Sequence, residues 1–489
     1  MSATWPWVIL GRVPRVLPIP GDDEAEAVAA AAFRAPDFSF RVALPPRATV
    51  LTVAPLAHPD PNEPDSYPYI LAAGPDCLLL NFAVKPFYGV HSALDARETY
   101  LVVARRFGTS GGQQGHAGTP LGQRIPVRRD RDGDAPVAYN VGSVGLVASY
   151  GGDYTVAELR VDRGGERARL FRFREGDEGW VEDELSSPLA AEDRAWVPDG
   201  VVAQKNTLWW FDLSWGLLSC DVVVDEPVLL FHKLPEDRAL GKDWWPGIHT
   251  HRCVAVSRRE LRYVEIVTED GGGDKEAATV SMWTRLMANP AAGWEWEKKY
   301  AMSFEKLWND NTYMDTGLPR KVPVLSAVCP SNPNLVYFAL EQRLFGVNVP
   351  VHKVVEIADE PHERVETPWP APASCRYVHA WNLPPRVASD LDLVGFSSSD
   401  EDEDQEEERD EEELLKLGLQ AAMRMDPATL KSEVEKFFNF EERPPSPEKK
   451  VLMQLRPRPP FNFWLTDKEA EADLAEVDRR VMTKRRRDE

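Results

Sequence analysis

His249, His251 and Cys253 alternate with Thr250 and Arg252 in one short run. Imidazole nitrogen and thiolate sulfur are the donors that zinc takes at tetrahedral sites. On a strand, residues two apart share a face, so these three side chains could converge on one ion. No fourth ligand stands at a recognisable spacing, and a strand entering a core accounts for Cys253 equally well. These three are the metal candidates, and the sequence implies no cofactor.

Other chemistry-bearing patterns fail on spacing. Asp130, Asp132 and Asp134 resemble the start of a calcium loop, but Ala135 and Val141 occupy the sixth and twelfth positions. An EF-hand needs glycine and glutamate there. The glycine-rich stretch 108–118 has no Gly-Lys-Ser/Thr ending and no helix signal after it, so it lacks the helix-start amides that cradle phosphate. No Gly-x-Ser-x-Gly elbow is present. Carboxylates are abundant but lie mostly in turns and in the C-terminal tail, so no acid/base pair stands out. No catalytic residue is expected from the sequence.

Aromatic residues offer a different chemistry. Trp209, Trp210, Phe211 and Asp212 are followed by Trp215. Strand alternation sends Trp209 and Phe211 to one face and Trp210 and Asp212 to the other. Core packing is the ordinary use of such a cluster. An exposed indole among Trp209, Trp210 and Trp215 would be an anchor for a partner. Two charged features lie in the tail. Ser397, Ser398 and Ser399 each have an acidic residue three positions on, at Asp400, Glu401 and Asp402. That is the pattern an acidophilic kinase takes, and phosphate there would tune attraction for a basic partner. Lys484, Arg485, Arg486 and Arg487 form a compact cationic run. It reads either as a nuclear-import signal or as the solvated end of a helix.

The elements that would position these residues are mostly strands. Four units, at 145–180, 201–234, 253–296 and 322–357, each contain about four short β-type runs separated by turn residues. Their spacing is that of the longer propeller repeats. Further strands are expected at 49–54, 69–73, 77–83 and 99–104. Radial packing protects the edges of four-stranded antiparallel sheets. The expected fold is therefore mainly β, a propeller of five or six blades, with a pair of β-sandwiches as the alternative. Helical periodicity before residue 390 is confined to the Ala-rich stretch 24–33.

Composition changes after Phe396. A nearly unbroken acidic block spans 400–413; such a block repels itself and cannot bury apolar surface. The expected division is a propeller-like domain at 1–390, an acidic disordered linker at 391–413 and a charged tail with short helices at 414–489.

Bulk properties narrow the partners. The 489-residue chain carries a net charge of −22, so nucleic-acid binding by the main domain is not expected. Five scattered cysteines without a C-x-x-C fit reduced, buried thiols rather than a disulfide framework. No secretory signal and no run of eighteen apolar residues appear, so nuclear or cytoplasmic residence without a membrane span is expected.

Several phrases resemble a family. The segment 208–221, LWWFDLSWGLLSCD, is similar to the hallmark of the grass-expanded plant proteins that carry "domain of unknown function 1618". Gly317-Leu318-Pro319, Ser331-Asn332-Pro333-Asn334 and Val336-Tyr337-Phe338 resemble its later segment, and Trp7-Val8-Ile9-Leu10-Gly11 its opening. The resemblance covers most of 5–390 and implies origin and fold, with no catalytic residues to transfer. It also implies an alternative, an F-box-type adaptor relative lacking the F-box. The leading functional expectation is a non-catalytic module that binds a protein partner. The competing one is a hydrolase-like enzyme with its site in the central channel.

Overall fold

The four-strand pattern folds as successive antiparallel meanders. One sheet comprises Val144–Ala148, Tyr154–Val161, Arg167–Arg174 and Val181–Ser186. The next comprises Gly200–Gln204, Thr207–Asp212, Gly216–Asp221 and Leu230–Lys233. A third takes Arg252–Ser257, Glu260–Glu269, Ala277–Asn289 and Gly293–Ser303, and a fourth Val324–Val328, Leu335–Leu340, Arg343–Asn348 and Lys353–Ile357. Upstream lies a sheet of Tyr69–Ala73, Cys77–Ala83, Thr99–Arg105 and Leu121–Arg124. The computed structural model describes residues 6–16, 38–53, 68–83, 99–105, 108–109, 117–118, 121–128, 141–149, 153–162, 167–189, 194–240, 247–269, 277–289, 293–358, 365, 367, 371–384 and 387–388.

The remaining sheet closes the ring. Val378–Asn382 pairs antiparallel with Trp7–Gly11, which runs beside Ala48–Val53, itself paired with Phe38–Arg41. The two ends of the described chain thus share one blade, and the protein is a six-bladed β-propeller. Six is within the expected range, and the paired-sandwich alternative is overturned. Numbered from this closing sheet, blades one to six follow chain order.

Alternation decides which core each side chain enters. Trp210 packs with Val147 and Leu159 between blades three and four. Its neighbour Trp209 packs with Tyr263 and Trp283 between blades four and five. Indole N–H groups also fasten adjacent blades. Trp381 donates to Gly74 O at 2.7 Å, Trp180 to Pro126 O at 2.8 Å, Trp210 to Ser143 O at 2.7 Å and Trp296 to Lys233 O at 2.9 Å. Each ring buries a large apolar area and satisfies its one polar atom on a neighbouring blade.

Guanidinium groups supply a second set of ties. Arg252 Nη2 lies 2.5 Å from Glu265 Oε1, and its Nη1 donates to Leu213 O in blade four at 2.8 Å. Arg172 donates to Asp183 within its own blade and to Val222 O and Val224 O in the next. Where blades three and four approach, a Cβ on Gly145 would lie 2.7 Å from Val201 Cγ1 and 2.9 Å from Leu208 Cδ1. A side chain there would force these methyl groups to shift.

Two short helices, Phe304–Trp308 and Asn311–Met314, join blades five and six. Ser303 and Asp310 cap them, each side chain accepting a backbone N–H from two residues on. No helix among the described residues is long and apolar enough to cross a membrane. These residues all belong to one compact unit, Met1–Ser446. The Ala-rich stretch 24–33, the Asp130 turn, the serines 397–399, the acidic block and the cationic run 484–487 lie outside the described residues.

Candidate functional site

The inner strands of all six blades line one channel with a volume of about 710 Å³. Its wall is largely small and aliphatic, including Ala72, Leu146, Val202, Ala255, Val328 and Ala380. Polar groups stand at both ends: Gln204, Lys205, Asn206, Arg259 and Asn382 where inner strands end, and a second set where they begin. Asp199 immediately precedes one strand, His249 and Arg376 precede two others, and Arg12 follows the strand paired with Val378–Asn382.

Asp199 is held by blade four. Its backbone N–H donates to Phe211 O at 2.8 Å, and its Oδ2 accepts the Leu213 N–H at 2.7 Å. Among the described residues the other carboxylate oxygen has no partner. Burial, reinforced by the Asp212 carboxylate, pushes the Asp199 carboxyl up to about 7. The Leu213 N–H, Arg376 and Arg194 oppose that rise.

Arg12 anchors the opposite side. It donates to Tyr69 Oη at 3.2 Å and lies 3.4 Å from His379 Nδ1, while its backbone N–H donates to Tyr377 O at 2.9 Å. A guanidinium can only donate, so His379 Nδ1 accepts and its proton sits on Nε2. Burial and Arg12 pull His379 down to about 3, leaving a neutral ring. Burial and Arg376 similarly pull His249 down to about 4.

Arg376 is fixed at its backbone, where Tyr69 Oη donates to its carbonyl. Its guanidinium lies over the Tyr377 ring at 5.7 Å. Among the described residues that guanidinium has neither a hydrogen bond nor an ion pair. The mouth therefore contains a guanidinium and a carboxylate oxygen that influence each other electrostatically without touching.

The metal candidates do not converge. Residues Ile248–Thr250 form a 3-10 turn, so His249 is not in strand register with Cys253. His251 Nδ1 lies 2.7 Å from Thr250 Oγ1, and Cys253 is buried in the core between blades five and six. Among the described residues no three His, Cys, Asp or Glu side chains group to hold a metal ion. His249 reaches the channel mouth instead. Cys375 Sγ donates to His249 O at 3.0 Å and Arg252 O at 3.2 Å. Its bonding to the neighbouring Cys253 thiol and its burial raise its pKa, so it is held as a thiol rather than a nucleophilic thiolate.

Another arrangement resembles catalytic machinery. Ser219 Oγ lies 2.7 Å from His232 Nε2, and Arg285 Nη2 lies 2.5 Å from His232 Nδ1. The arginine must donate, so the ring proton is on Nε2 and points at Ser219. A general base needs a lone pair there. This group is a buried structural tie, with Arg285 over the Trp209 ring at 5.3 Å.

Trp209 and Trp210 are 5% and 0% exposed. Trp215 is half-buried against Trp196, Phe231 and Arg194. The aromatic cluster therefore serves packing, while the open polar groups belong to Asp199 and Arg376. Sequence spacing gave no sign of that pair, which comes from different blades.

The fold and site define a propeller with a polar channel mouth. The family model "Protein of unknown function (DUF1618)" matches residues 210–337, supporting the resemblance over that stretch. No curated protein matches the chain. Among solved structures the chain is similar to an alpha-L-arabinanase from Penicillium chrysogenum complexed with arabinobiose, at 12% identity and a TM-score of 0.28, covering 59% of this chain and 79% of the other. It is also similar to an alpha-L-arabinofuranosidase from Fusarium graminearum in complex with an iminosugar inhibitor, at 11% identity and a TM-score of 0.31, covering 67% and 86%.

Proposed function

We propose that this protein is a non-catalytic interaction module that engages a partner through its channel mouth. The observation that carries this reading is the open pair formed by the Arg376 guanidinium and the free oxygen of Asp199. Charged groups that line a cavity without a protein partner are available to a ligand that completes them. A hydrolase reading is less well supported by the same geometry. Glycoside hydrolysis, for example, generally uses two carboxylates flanking the bond, and Asp199 is the only carboxylate among the described residues lining the channel. The Cys375 thiol and the Ser219–His232 pair have the wrong protonation for nucleophilic attack.

Ala203 lines the channel and is exposed to it. Ala203→Trp should obstruct the channel whatever the ligand's chemistry. Immobilised full-length chain is incubated with native extract, and a captured protein is purified and titrated back by calorimetry. Saturable binding that is lost in Ala203→Trp, with unchanged far-ultraviolet circular dichroism and thermal unfolding, is expected. Ala203 lies toward the far end of the strand that follows Asp199, so Arg376→Ala tests the mouth itself, and equal binding by wild type and both variants would refute recognition through the channel.

A further inference from the structure

The open groups at the mouth restrict the chemistry of the ligand. Arg376 offers a planar fork that matches a carboxylate with two parallel hydrogen bonds. Arg12 adds a second positive charge nearby, while the neutral rings of His249 and His379 add none. An internal peptide segment brings a carboxylate only on an Asp or Glu side chain, where it has no fixed relation to the backbone N–H; any other internal segment would leave Arg376 unpaired. A phosphate dianion would meet the Asp199 carboxylate, with Asp212 behind it. The ligand must therefore place a monoanion on Arg376 and a hydrogen-bond donor on Asp199.

A polypeptide C-terminus has this arrangement. Its carboxylate and the amide N–H of its last residue are joined through a single Cα. The last side chain projects from the same Cα, and here it would meet a wall of Ala and Val. The preceding chain can leave through the mouth, because the polar groups lie at the end of the channel rather than midway along it.

Resting on the interaction-module reading, we propose that the channel mouth captures the free C-terminus of a partner polypeptide. The terminal carboxylate pairs with Arg376, the terminal amide N–H donates to the open oxygen of Asp199, and the last side chain packs on the aliphatic channel wall. Recognition of this kind depends on the chain end and tolerates different internal sequences.

The test uses the full chain at pH 8, where the Asp199 carboxyl is mostly ionised, and fluorescein-Gly-Gly-Ala-Xaa peptides, with each of the twenty residues at Xaa, followed by fluorescence polarisation. Peptides with a small aliphatic terminal residue should bind most tightly. Amidating the C-terminus of the best binder should weaken it at least about tenfold, because a charge-assisted bidentate pair is lost. Arg376→Gln should abolish discrimination between the acid and the amide, and Asp199→Asn should weaken the acid less than amidation does. Circular dichroism of both variants controls for folding. Equal binding of acid and amide, or no binding by any of the twenty acids, overturns the proposal. Free valine binding as tightly as the best tetrapeptide also overturns it, in favour of a free amino acid. If a captured partner still depends on an open channel while every peptide fails, the interaction-module reading stands and the C-terminal proposal falls. If the partner also ignores the channel obstruction, both fall.

Discussion

Replacing Asp199 with asparagine isolates the electrostatic cost of the channel mouth. The carboxamide oxygen introduced by Asp199→Asn can still accept the Leu213 N–H, but the side chain cannot ionise. In the native protein the carboxyl is pushed up to about 7 by burial and by Asp212. In the unfolded chain it returns to about 3.9. The folded state therefore holds a proton that the unfolded state releases. This group's contribution to stability is fully present below about pH 3.9 and is lost as pH rises through about 7. A gap of about three pH units at roughly 1.4 kcal/mol each gives a full linkage of about 4 kcal/mol. Asp199 is only half-buried, so solvent screening reduces this to about 1–3 kcal/mol between pH 5 and pH 8. Urea denaturation of wild type and Asp199→Asn at both pH values measures it, because other titrating groups cancel in the comparison. The variant should gain on the wild type by that amount between pH 5 and pH 8. A difference that stays constant between the two pH values would refute the raised carboxyl.

Glu265 is buried and accepts from Arg252 at 2.5 Å and Arg238 at 3.4 Å. Glu265→Ala strands a buried guanidinium and should cost about 3–5 kcal/mol in denaturant unfolding. Ser219 should not react with a fluorophosphonate probe in the native protein, because His232 presents a proton to it; labelling at Ser219 by peptide mass would contradict the tautomer. In Arg285→Met the constraint on Nδ1 is removed, and any new labelling should appear only in this variant. For the cationic run, we propose nuclear import: changing Lys484, Arg485, Arg486 and Arg487 to alanine should exclude a large fluorescent fusion from the nucleus, and equal entry of wild type and variant would contradict it.

The sequence itself determined the blade pattern. Runs of alternating residues at 145–180, 201–234, 253–296 and 322–357 can bury a face only as strands, and their turns contain residues suited to reversal. Alternation also settled that Trp209 and Trp210 enter different cores. Other local signals misled. Arg258 and Arg259, and Glu341 and Gln342, make left-handed turns that ordinarily favour Asn-Gly. There the twist of paired strands overrides local preference, and Arg258 is held by its N–H on Pro330 O at 2.7 Å. The spacing of His249, His251 and Cys253 suggested convergence, but a 3-10 turn broke the register.

Only the tertiary structure decided how the ring closes and what stands at its mouth. Val378–Asn382 pairs with Trp7–Gly11 across nearly the whole described chain, and no local pattern encodes a partner that distant. Asp199, Arg376 and Arg12 are ordinary charged residues in sequence. Their unusual state comes from neighbours on other blades. Desolvation raises Asp199, Tyr69 holds the Arg376 backbone, and among the described residues nothing pairs with the Arg376 guanidinium or the second Asp199 oxygen. Burial and electrostatic proximity are properties of the closed ring, so they exist only once all six blades have packed together.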